Sequence, residues 1–180
     1  IVQSSPYAVS FIPYAFYESM SESLRAVGLR SSNGIAVEPN LDTLSNGQYP
    51  LARPLFIYST AASIQAKPEI RAFIGCYLNW VPQEIASVGY FRLSETRFEE
   101  ALTNFARATN SATDGLPPCT PNLPVSPDFD ILGSSTVGPL TEIIAERFQS
   151  GGYQGDIQNF ETGTGGGFER FCRGEAVDIV

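Results

Sequence analysis

The sequence predicts an α/β fold: three layers, with a mostly parallel sheet between two sets of helices. Three observations predict it. Strand-like and helix-like runs alternate along the chain, most regularly as β-α-β-α-β over residues 129–180. Two of the strand-like runs in that stretch end in loops that open helices, Gly133-Ser134-Ser135-Thr136-Val137 and Gly163-Thr164-Gly165-Gly166-Gly167. The 180 residues are 43% hydrophobic and 12% aromatic, enough apolar side chains for one sizeable core.

In chain order, Tyr7 to Ile12 reads as a buried strand, followed by Pro13, an aromatic stretch from Tyr14 to Tyr17 and a polar break at Ser19 to Ser23. Leu24 to Leu29 fits a second short strand. Pro39 to Leu44 suits a helical turn, Asn46-Gly47 is a turn signal, and Arg53 to Tyr58 is a strong strand candidate. After Pro68, the positions Ile70, Phe73, Ile74, Tyr77 and Leu78 recur at helical spacing and predict one apolar face, with the helix stopping near Trp80 and Pro82. A shorter helix is expected over Gln83 to Val88. Phe98, Ala101, Leu102 and Phe105 mark another helix, with Ser94 as its N-cap.

From Thr109 to Asp128 the composition turns to Ser, Thr, Gly, Asn and five prolines, with no period at 2 or 3.6. This segment reads as a linker able to join chain ends that are not neighbours. Beyond it come a strand at Asp130 to Leu132 and a helix buried through Val137, Leu140, Ile143, Ile144 and Phe148, closed by Gly151-Gly152. A strand at Asp156 to Phe160, a helix carrying Phe168 and Phe171, and a last strand at Val177 to Val180 complete the order.

Composition excludes several function classes. Eleven Lys plus Arg against 19 Asp plus Glu give a net charge of −8, which opposes binding to nucleic acid or to anionic membrane surfaces. No apolar run is long enough for membrane insertion, and the first residues lack the pattern of a signal peptide, so export would require one already removed. The absence of His removes the commonest general base and metal ligand, and with it any Ser-His or Cys-His nucleophile. Neither an enzyme nor a cofactor is implied. Cys76, Cys119 and Cys172 fit no metal pattern; buried thiols at Cys76 and Cys172 with an exposed one at Cys119 are preferred to an internal disulfide.

The two glycine- and hydroxyl-rich loops carry the chemistry. A helix start leaves backbone N–H groups without intrahelical partners and carries partial positive charge, so it holds anions without needing a basic side chain. Around such a ligand, Ser135 and Thr136 donate hydroxyls, Val137 its amide, Thr164 another hydroxyl, and Gly165 and Gly166 their amides. The simpler alternative is that Ser134, Ser135 and Thr136 merely cap a helix and that the glycines form an empty loop. Neither loop is a Walker P-loop or a dinucleotide fingerprint. A small tetrahedral anion is the expected ligand.

The runs Ile131 to Leu140, Glu161 to Phe168 and Phe171 to Ile179 resemble the amino-terminal part of the periplasmic phosphate-binding proteins that feed Pst-type ABC transporters. Ser5 to Phe11 and Tyr49 to Ile57 resemble the carboxy-terminal part of that family, so the order here is circularly permuted. The resemblance implies one type II-like lobe of a two-lobed protein. Residues 1–108 match the later part of lobe one, 109–128 are the Pro-rich linker, 129–180 match its earlier part, and together they form a single domain. It also implies inorganic phosphate as ligand, the missing second lobe or a permease as partner, and a periplasmic or extracellular location. With lobe two's donors absent, only half a site remains. Neutral hydrogen bonds that each net about 0.5–1.5 kcal/mol then predict millimolar or weaker affinity. A homodimer through the lobe's open face is a further expectation.

Overall fold

A computed structural model describes residues 2–30, 34–112 and 115–180; residues 113 and 114 of the expected linker lie outside these. The described residues form two compact units, Ile1–Pro54 with Ile85–Ser94, and Leu55–Glu84 with Glu95–Val180.

The first unit holds α1 (Tyr14–Glu18), a two-residue antiparallel pair of β1 (Leu29–Arg30) and β2 (Ala36–Val37), and α2 (Leu41–Ser45). Helix α2 begins where the sequence places a helical turn, because Asn40 and Thr43 form a reciprocal capping box at 2.9 and 3.0 Å. Gly47 follows at φ 71°, the left-handed turn that Asn46-Gly47 announces. The expected strand at Tyr7 to Ile12 does not form: Tyr7, Val9 and Phe11 are 94%, 85% and 72% exposed. The segment lies between Pro6 and Pro13 and among the described residues no strand pairs with it, so its β-favouring side chains have no ladder to join. Leu24 to Val27 likewise stays irregular.

The second unit carries α3 (Ala61–Ala66), α4 (Pro68–Glu84), α5 (Glu95–Thr109), β3 (Phe129–Leu132), α6 (Gly138–Ser150), β4 (Ile157–Phe160) and α7 (Gly163–Cys172). β3 and β4 pair in parallel with Leu132 opposite Phe160, and Ile131 bridges in parallel to Ile179 on the other side. Tyr58 and Val180 exchange both backbone hydrogen bonds, the pattern of an antiparallel pair. The strong strand expected over Arg53 to Tyr58 reduces to this one pairing. Among the described residues the fold is α/β with small sheets, one parallel and one antiparallel.

Helix α4 follows its predicted periodicity from Pro68: of the expected stripe Ile70, Phe73, Ile74 and Tyr77 are buried and Leu78 is half-buried, and Cys76 is buried as well. It runs through Pro82 rather than stopping there. Its last turn is tied to α6 by Arg147, which reaches Glu84 Oε1 at 2.5 Å and stacks over the Trp80 ring at 4.6 Å, and these contacts offset the hydrogen bond that proline removes. Phe73 sits at the centre of the core, ring to ring with Tyr77, Phe129 and Phe148.

The segment read as a linker is pinned along the second unit. Cys119 forms a disulfide with Cys76, a correction to the expectation of unpaired thiols, and exposed Cys172 is the free cysteine. Sequence separation hid the pair because the strap doubles back over α4. Asn79 Nδ2 donates to Pro117 O at 3.1 Å, the Tyr153 hydroxyl donates to Pro127 O, and Asp156 N donates to Asp128 Oδ1 at 2.8 Å.

Burial, reinforced by the charges of Glu69 and Asp128, pushes the Tyr153 phenol up to about 12 from its ordinary 10.0. A group whose folded-state pKa is raised stabilises the fold fully below its unfolded pKa and loses that contribution as pH climbs through the folded one. Unfolding free energy is therefore expected to fall between about pH 10 and 12, and Tyr153→Phe, followed by urea denaturation across that range, should flatten the decline.

Candidate anion site at two adjacent helix starts

Both loops singled out in the sequence leave the carboxyl ends of the parallel neighbours β3 and β4. They are tied together at their roots by Gly133 N, which donates to Phe160 O at 3.0 Å, while Leu132 N donates to Ile179 O on the other side of β3 at 3.1 Å. Gly167, in the first turns of α7, packs against the start of the first loop. A Cβ there would meet Leu132 O and Val180 Cγ1 at 3.0 Å and Gly133 Cα at 3.3 Å, so glycine is what lets the two loops come this close. Leu132, Val177 and Val180, with Phe168 and Phe171 against them, form the apolar floor beneath.

The first loop is a tight turn built on Ser134. Its hydroxyl accepts from Thr136 N at 3.2 Å, and its carbonyl accepts from Val137 N at 2.9 Å and Gly138 N at 3.0 Å. Val137 occupies the N-cap position of α6 with no side-chain cap, and Pro139 follows at the helix start. Thr162, the N-cap of α7, also makes no side-chain cap. Asn40 caps α2 and Thr60 caps α3 through their side chains. The capping alternative therefore holds for Ser134, whose hydroxyl and carbonyl take up the amides of Thr136, Val137 and Gly138 ahead of α6, while Ser135 and Thr136 stand in the same turn. Ser135 is exposed, while Thr136 and Val137 are half-buried.

In the second loop Thr164 and Gly165 are exposed and Gly166 is half-buried. Gly163 takes φ 76°, which a side chain would resist, and a Cβ on Gly165 would meet nothing within 4 Å. The backbone there faces open space. One expected donor is occupied: the Val137 amide is engaged by Ser134 O, so its use on an anion requires that turn bond to open.

Asp178, ambiguous from sequence, belongs to a structural cluster. It is buried, and its carboxylate accepts from Ser63 Oγ at 2.5 Å and from Lys67 Nζ at 2.7 Å. Sequence reasoning missed Glu161 and Asn159, which both reach the first residue of α6: Asn159 Nδ2 donates to Gly138 O at 3.2 Å, and the Glu161 carboxyl lies against Gly138 Cα. Their i, i+2 spacing, with Asn159 on β4 and Glu161 just past its end, was the available signal. Among the described residues no cluster of acidic and Cys side chains could hold a metal, and no helix is long and apolar enough to cross a membrane.

No family model and no solved structure matches the chain. Among curated proteins, it is 33% identical to protein SphX of Synechocystis sp. over 100 residues, 55% of this chain and 30% of that protein. It is 33% identical to protein SphX of Synechococcus elongatus over 98 residues, 54% of this chain and 29% of that protein. It is 26% identical to phosphate-binding protein PstS of Staphylococcus haemolyticus over 106 residues, 59% of this chain and 34% of that protein. The chain spans about a third of the length of these relatives. Over somewhat more than half of its own length it is thus a homologue of proteins named SphX and phosphate-binding protein PstS.

Proposed function

We propose that the chain binds inorganic phosphate, without catalysis, through the two loops at the carboxyl edge of β3 and β4. The observation that carries this reading is the placement of two helix starts, α6 and α7, side by side at the carboxyl ends of the parallel neighbours β3 and β4. The ligand groups are the Ser135 and Thr136 hydroxyls, the Val137 amide once released from Ser134 O, the Thr164 hydroxyl, and the Gly165 and Gly166 amides. The names of the PstS relatives support phosphate over other tetrahedral anions. In this reading the chain is one permuted lobe with helices on both faces of its sheet, working outside the cytoplasm with an ABC-type phosphate permease.

A second reading is favoured by one observation. With Val137 N spent on Ser134 O, the isolated lobe offers fewer ready donors, so it folds alone but holds phosphate usefully only when a second lobe or a second copy covers the loops. Calorimetric titration with phosphate separates the two, with sulfate as control. The first reading predicts saturable heat with a dissociation constant of about 1 mM, lost in the double variant Thr136→Ala, Thr164→Ala. No saturable heat up to tens of millimolar, with binding restored by added second-lobe protein, would favour the covered form. No binding in either setting contradicts both.

A further inference from the structure

Glu161 stands at the junction of the two loops, after the end of β4 and just before the N-cap of α7. Its side chain folds back over the first residue of α6. A Cβ on Gly138 would lie 2.5 Å from Glu161 Oε1, 3.3 Å from Cδ and 3.4 Å from Cγ, so the absent side chain of buried Gly138 makes the space that the carboxyl group occupies. Neighbouring Asn159 fixes the same turn by donating to Gly138 O. Glu161 is exposed, and among the described residues its carboxylate has no hydrogen bond or ion pair. A negative group with no cationic partner therefore rests on the positive end of α6, one residue from Val137 and two from Thr136.

We infer that Glu161 is an affinity-setting residue of the anion site: its carboxylate acts as an internal anion on the α6 start and is displaced when an oxyanion binds. This inference rests on the phosphate-binding reading. Three features carry it. The helix start attracts negative charge, whichever group supplies it. A carboxylate lying within one or two residues of the expected donors repels an incoming anion. And an exposed side chain held by no hydrogen bond can swing into solvent, so the fraction of molecules with Glu161 turned away sets the apparent affinity. The device makes the site weaker than its donor set alone would make it, and it penalises more highly charged ligands most.

The test compares phosphate titrations of the wild-type chain with Glu161→Gln and Glu161→Ala, and runs Thr136→Ala, Thr164→Ala alongside. Glutamine keeps the shape and removes the charge; alanine removes both and adds no amide donor. Both variants are expected to bind phosphate roughly twofold to fivefold more tightly than wild type, the scale of an exposed helix-terminus charge interaction. The gain should shrink at high salt. Affinity equal to or below wild type in both, or a gain in only one of them, overturns the role of Glu161 while leaving phosphate binding intact. Saturable binding in none of the proteins overturns this inference together with the reading beneath it, and binding that survives in the Thr136, Thr164 double variant overturns the placement of both.

Discussion

Phe73→Ala is expected to lower the unfolding free energy by about 3–5 kcal/mol, the range of a fully buried aromatic truncated to alanine. Phe73 has no exposed surface, and its ring lies 5.3 Å from Phe129, 5.4 Å from Phe148 and 6.0 Å from Tyr77, in edge-on geometry throughout. Those three neighbours belong to β3, α6 and α4, so one side chain joins the strand that ends in the first loop, the helix that the loop opens and the helix that backs them. Removing it leaves a cavity that close-packed neighbours refill only in part. Urea denaturation should show a lower midpoint at an unchanged slope, and the loosened β3–α6 junction should weaken phosphate binding as well. A loss under about 1 kcal/mol would mean that the aromatic cluster is not the core of this unit.

Loss of the Cys76–Cys119 disulfide should cost nearly as much. The bond closes a loop of sequence separation 43; chain-entropy arguments assign a loop of that length about 4 kcal/mol. Cys76 is fully buried in α4, so the bond fastens the Pro-rich strap directly to the core. Cys76→Ala with Cys119→Ala, or the wild-type chain under reductant, should therefore melt well below the oxidised protein. Cys172→Ala should melt within about 0.5 kcal/mol of wild type, because Cys172 is exposed and unbonded. Alkylation followed by mass spectrometry checks the assignment: one modified cysteine is expected in the folded oxidised chain, and three would contradict it.

Where side-chain period and chain punctuation agreed, the sequence was readable. α4 announced itself through Pro68 and a buried stripe at helical spacing, and the β3-α6-β4-α7 order emerged from short apolar runs broken by glycine. The failures have a common physical origin. Tyr7 to Ile12 and Arg53 to Tyr58 have strand composition, yet a strand exists only where another backbone pairs with it, and that partner is a tertiary fact. Pro82 signalled a stop that Arg147, 65 positions later in the sequence, overrides through Glu84 and Trp80. The disulfide was hidden for the same reason, since only the path of the strap brings Cys119 to α4.

The site was legible in its loops and not in its details. Three consecutive hydroxyls and a run of three glycines marked the two helix starts, and parallel pairing of β3 with β4 sets those starts side by side. That Ser134 O would take up the Val137 amide, and that Glu161 would lie on Gly138, depends on backbone angles within a single turn, which no spacing rule encodes. Net charge told little about this ligand, because helix starts and hydroxyls act locally in a protein of charge −8.

The most direct test of the two-loop site is to follow backbone amide resonances while inorganic phosphate is added. The account predicts saturable shifts concentrated at residues 134–138 and 163–167, with Val137 and Gly138 among the largest as their bonds to Ser134 O rearrange, and little change at Asn40 and Thr60, where side chains already cap the helices. Shifts centred elsewhere, or none at all up to tens of millimolar phosphate, would contradict it.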